Sequence, residues 1–228
     1  MKAKKTPMLK PGYQSTRKEY VAYCLFFLGQ NLLWGYAGYI ETFLTDIGIV
    51  AATAAAILIV PKIWDAVNDV LFGYIVDRHM FKNGQKFMPW VRIGTSAVGI
   101  TTVALFAIPK DMSDTGKIVC FLVAYILFDL CYTILDAPAF AVTTVMTSNV
   151  QERTGIIAGG KLWSMVGGVV STVIIPMIRP KLGWLTACIV FVVVSIILMI
   201  PMLFTVKERH SKRSWRPRTP PLKRCCTI

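Results

Sequence analysis

Six long apolar runs alternate with short polar breaks along the chain, over residues 20–45, 50–76, 91–108, 118–146, 155–178 and 184–206. Each is close to the ~20 residues a helix needs to cross a hydrocarbon core about 30 Å thick. A backbone segment in lipid must close its own hydrogen bonds, which a helix does within itself. The pattern therefore predicts an all-α membrane protein, a bundle of six transmembrane helices. The breaks fall at 46–48, 77–86, 109–116, 147–154 and 179–183, none long enough for a soluble domain. Pro89-Trp90 follows the second break, where an interfacial indole marks re-entry into lipid.

Composition agrees: 55% of the 228 residues are hydrophobic and 16% charged, and mean hydropathy is +0.57. A net charge of +13 in a soluble protein would suggest nucleic acid. Here position decides against it. Twenty Lys and Arg lie in the amino-terminal tail, the segment 78–92, the segment 153–161 and the tail from Lys207, while four lie on the opposite side. The bias predicts that both termini face the cytoplasm of a cell membrane, with anionic lipid as a partner and no nucleic acid. Cys24, Cys120, Cys131 and Cys188 sit in apolar runs as small hydrophobes, and the final Cys225 to Ile228 lacks the aliphatic pattern of a prenylation box. No enzyme motif of the His-Glu-x-x-His or Gly-x-Ser-x-Gly type occurs, so neither catalysis nor an organic cofactor is expected.

Ionisable groups inside lipid cost about 2.5–3.5 kcal/mol each, so they need partners or a water-filled cavity. The second run carries Lys62, Asp65, Asn68 and Asp69 within two turns, with Lys62, Asp65 and Asp69 on one face. Two carboxylates and an amide oxygen supply hard ligands for a small cation, or a place for a proton. The blander reading is a charge cluster, neutralised by Lys62, that locks helices together. The fourth run repeats the theme with Asp129, Thr133 and Asp136 on one face and Pro138 just beyond, and Lys161 on the fifth run is the expected partner of Asp136. A carboxylate among hydroxyls suits a sugar. Gln30 and Asn31 on the first run serve a polyol or tie helices together, and Gly159-Gly160 with Gly167-Gly168 read as close-packing positions.

Three separated segments then carry a resemblance: Trp64-Asp65-Ala66-Val67-Asn68-Asp69 with Gly73, Lys86-Phe87-Met88-Pro89-Trp90, and Tyr132-Thr133-Ile134-Leu135-Asp136-Ala137-Pro138. Over residues 18–208 the chain resembles the glycoside-pentoside-hexuronide:cation symporters, the melibiose carrier group of the major facilitator superfamily. The resemblance implies cation binding (Na⁺, Li⁺ or H⁺) at Asp65, Asn68, Asp69 and Thr133, with Asp65 and Asp69 as the metal ligands for sodium and Lys62 as their charge partner. It implies sugar binding at Asp136 and at Lys161, which stands where the family has Arg, keeping the charge without the bidentate fork. Gln30 and Asn31 replace the family's Lys-Asp pair, and Phe140 stands where the melibiose carrier has Trp.

The family has twelve helices in two six-helix halves with the sugar between them, so the chain reads as the amino-terminal half of such a fold. The expected organisation is a basic tail over 1–19, a six-helix domain over 20–206 and a basic, Pro-rich, disordered tail over 207–228, the last a lipid-touching segment or the product of an altered reading frame. Secondary active transport of a sugar is the expected function, and an absent half or a second copy a possible partner. The alternative is an inactive fragment, or a membrane interaction partner without transport of its own.

Overall fold

The computed structural model describes residues 12–81 and 83–209. The basic segments 1–11 and 210–228, with Cys225 and Cys226, and Lys82 lie outside the described residues. Among those described there is no strand. Nine helices follow in order: α1 Arg17–Ala37, α2 Ile40–Asp46, α3 Ala51–Ile57, α4 Ile59–Arg78, α5 Met88–Phe106, α6 Asp114–Ala141, α7 Thr143–Met146, α8 Val150–Leu182 and α9 Trp184–Thr205.

These nine map onto the six predicted runs because three runs are interrupted. The first breaks at Gly38, between α1 and α2. The second breaks after Ile57, four residues before Pro61, whose missing N–H cannot bond the Ile57 carbonyl and whose ring crowds it. The fourth continues through Pro138 to Ala141 and breaks only at Val142. Among the described residues three helical segments are long and apolar enough to cross a membrane: Asp114–Met146, Val150–Leu182 and Trp184–Thr205.

Two predicted breaks are narrower than expected. The side chain of Asn149 accepts from the N–H groups of Gln151 (2.9 Å) and Glu152 (3.3 Å), so α8 begins at Val150 rather than after Thr154. At its other end α8 runs through Pro176 and Pro180 to Leu182, where a turn from Arg179 was expected. Each proline removes one backbone donor, and the helix stops only at Gly183, whose φ of +76° admits a reversal that L side chains resist. Arg179 pins that end, 3.1 Å from Asp46 and 4.8 Å from the Trp184 ring centroid.

Helix α1 packs against α8 and α9, α5 against α6 and α9, and α4 against α6. The α1–α8 contact is a close approach of backbones. A Cβ on Gly160 would lie 2.6 Å from the Tyr23 ring, and one on Gly167 2.7 Å from the Leu28 carbonyl. Gly159 is similarly closed by Tyr20, whereas Gly168 faces nothing within 4 Å and is not a packing glycine.

One end of the bundle is tied by carboxylates. Glu208, after α9, accepts from the N–H groups of Lys86, Phe87 and Met88 at 2.7, 2.8 and 2.6 Å, and so caps α5, which has no side-chain cap of its own. Buried Glu152 accepts from the Ser15 N–H and Thr147 hydroxyl at 2.7 and 2.6 Å. Arg209 donates to both oxygens of Glu19 at 2.8 and 2.9 Å, while Glu19 completes a capping box with Thr16 at the start of α1.

Candidate cation and substrate site

The α4–α6 contact places the predicted polar residues face to face. Asn68, 3% exposed, donates through Nδ2 to Asp129 Oδ2 at 3.3 Å and to Thr133 Oγ1 at 3.0 Å. The Thr133 hydroxyl then donates to Asp69 Oδ1 at 3.2 Å. The result is a chain from Asp129 through Asn68 and Thr133 to Asp69, in which each donated proton has an acceptor. Asp65 is exposed one turn before Asp69 and lies close enough to Asp129 for its side chain and its charge to act on that carboxyl, as the charge of Asp69 does.

Asp129 is a member of this cluster that the sequence reading did not assign to the cation. Its signal was available: it precedes Thr133 by four residues, and side chains so spaced lie one above the other on a helix face. Lys62, by contrast, does not pair with Asp65 or Asp69; no ion pair within 4.0 Å joins them. A helical side chain leans toward the amino terminus of its helix, so Lys62 points away from partners three and seven residues later. It lines a cleft with Glu41 instead. Among the described residues no three of His, Cys, Asp or Glu gather as ligands of one metal ion.

One turn along α6 from Thr133, Asp136 accepts a short hydrogen bond from Nε2 of Gln30, which is fully buried on α1. The expected Asp136–Lys161 ion pair does not form within 4.0 Å. The Lys161 ammonium instead lies 4.8 Å from the Phe140 ring centroid, and Phe140 packs on Phe27 at 4.6 Å. Gln30, Asp136, Phe140 and Lys161 thus come together from α1, α6 and α8. Asn31 does not join them: its Nδ2 donates to the Phe27 carbonyl of its own helix at 3.4 Å, and its Cβ lies against Gly167. Two adjacent residues on a helix are 100° apart, so only one of Gln30 and Asn31 can face α6.

The model of a family described as MFS/sugar transport protein matches residues 23–224. The inner membrane symporter YicJ of Escherichia coli K12 is 31% identical over 179 residues, covering 75% of this chain and 38% of that protein. A glucuronide carrier protein homolog of the same organism is 30% identical over 135 residues, 58% of this chain and 29% of that protein. The sodium-dependent lysophosphatidylcholine symporter 1-A of Danio rerio is 28% identical over 137 residues, 60% of this chain and 25% of that protein. The chain spans less than half the length of the curated relatives it matches.

Proposed function

The chain belongs to the MFS/sugar transport protein family, and on that premise we propose that it forms the six-helix half of a cation-coupled sugar symporter, with both termini cytoplasmic. The observation that carries this reading is the Asp129–Asn68–Thr133–Asp69 chain between α4 and α6, one helical turn from the Gln30–Asp136 pair. A sodium ion, lithium ion or proton at Asp65 and Asp69 neutralises carboxylates that lipid penalises. Because Thr133 and Asp136 share one face of α6, neutralising the first site changes the field at the second. That is a direct route for a coupling free energy between cation and sugar.

Symporter names among the relatives support coupling to a cation, and their substrates range from a glucuronide to a lysophospholipid. The sugar reading therefore rests on this chain's own buried amide and carboxylate at Gln30 and Asp136, with Lys161 and the Phe140 ring beside them. Such a lining offers hydrogen bonds and a flat apolar face to a polyol. Six membrane crossings fit α1–α2, α3–α4, α5, α6–α7, α8 and α9. A second reading is a membrane interaction partner without transport of its own.

Uptake of labelled glycosides into proteoliposomes, with and without an inward sodium gradient, tests the transport reading. Gradient-stimulated uptake supports it, and folded protein with no uptake favours the second. Sodium-stimulated sugar binding that persists unchanged in Asp69→Asn would remove the cation assignment under either reading.

A further inference from the structure

We infer that the chain carries a second sugar subsite, distinct from the Gln30–Asp136 pair, in the cleft between Trp34 and Glu41 on one side and Lys62 and Tyr125 on the other. The inference rests on the sugar reading above and extends it to substrates of at least two rings.

The cleft has a volume of about 360 Å³, within the range of small-molecule sites. Its walls come from five elements: Trp34 near the end of α1, Glu41 in α2, Ala55 in α3, Lys62 in α4 and Tyr125 in α6, converging at the breaks around Gly38 and Leu58. Glu41 and Lys62 are both exposed and, among the described residues, neither makes a hydrogen bond or ion pair, although they share one cleft. Their charges are opposite, so the cleft is electroneutral overall while holding strong acceptors on one wall and donors on another. Beside them stands the Trp34 indole, 45% exposed. An aromatic face flanked by an unengaged carboxylate and an unengaged ammonium suits a neutral ring with hydroxyls at its edge and C–H groups on its face.

Position relates this cleft to the first site. Trp34 follows Gln30 by four residues, about 6 Å further along α1. Its ring packs on Tyr132 of α6, centroid to centroid 4.7 Å, and Tyr132 precedes Asp136 by four residues. Tyr125 lies nearly two further turns in the same direction. Both helices therefore place the cleft beyond the Gln30–Asp136 pair, away from the end tied by Glu152, Glu208 and Arg209. A second ring linked to one held at Asp136 would meet Trp34 first, then Glu41 and Lys62.

The test is saturation-transfer NMR and equilibrium binding on the full chain in nanodiscs, with paired probes in the gluco, galacto and xylo series: each methyl glycoside against a neutral disaccharide of the same sugar. The expected result is saturation on both rings and at least tenfold tighter binding of one disaccharide over its methyl glycoside. Trp34→Ala and Glu41→Gln should each remove most of that advantage while leaving methyl glycoside binding within about twofold. A disaccharide saturated on one ring only, or an advantage untouched by both substitutions, would overturn the outer subsite and leave the first site standing. Failure of every methyl glycoside and disaccharide to bind folded protein would overturn the sugar reading and this subsite with it.

Discussion

Asn68 on α4 and Thr133 on α6 are joined by a 3.0 Å hydrogen bond, with Asn68 as donor. That direction leaves the Thr133 proton for Asp69, while Asp129 accepts from the Asn68 amide. Thr133→Val keeps the shape and removes the link, leaving the Asn68 amide short of one acceptor. Loss of a bond worth about 0.5–1.5 kcal/mol corresponds to a weakening of roughly 2- to 12-fold, read as the sodium concentration giving half-maximal stimulation of sugar binding. Thr133→Ser retains the hydroxyl and should stay near the parent.

Gln30 supplies the hydrogen bond to the Asp136 side chain. Gln30→Leu should weaken glycoside binding about tenfold by isothermal titration, because an interhelical hydrogen bond and the orientation of a carboxylate are lost together. Gln30→Lys replaces a neutral donor with a charged one and should cancel the field that Asp136 presents to a hydroxylated ligand, weakening binding further. Binding unchanged in both variants would take Asp136 out of the sugar site.

The α1–α8 contact predicts a contrast between neighbouring glycines. Gly160→Leu drives a side chain into the Tyr23 and Phe27 rings and should cost about 1–3 kcal/mol, seen as a lower unfolding midpoint in detergent. Gly168→Ala meets open space and should be neutral or slightly stabilising, since alanine favours helix.

Glu208→Ala strips three N–H groups at the start of α5 of their charged acceptor. A loss of about 1.5–3 kcal/mol is expected. Glu208→Gln, which keeps an acceptor but loses the charge, should fall between parent and Ala. Amide exchange at Phe87 and Met88 is the local readout, and should accelerate in the same order.

The helical runs and the candidate polar residues could be read from the residues alone, because lipid imposes a length and an apolarity that few other environments demand. Lys62, Asp65, Asn68, Asp69, Thr133 and Asp136 stand out in one dimension as costs that something must offset. The family followed from the order of three motifs, and the match over residues 23–224 upholds it.

Partnership was not legible. Charge complementarity suggested Asp136 with Lys161 and Lys62 with the α4 acids, and both pairings yielded to geometry. Gln30 reaches Asp136 across α1 and α6, Lys161 settles over Phe140, and the lean of a helical side chain carries Lys62 toward Glu41. Glu208 and Glu152 carry no sequence signal of their role, because the backbone N–H groups they accept from lie more than 100 residues away.

By itself, then, the sequence determined an all-helical membrane protein, the face of each polar helix and the close-packing role of Gly160 and Gly167, because periodicity and the cost of charge in lipid act locally along the chain. Only the tertiary structure decided which acid meets which amide, that Asp129 joins Asn68, Thr133 and Asp69, and that Asn31 turns back onto its own helix. Those outcomes depend on how far apart and at what rotation α1, α4, α6 and α8 lie, and packing of whole helix surfaces sets that, not any one residue.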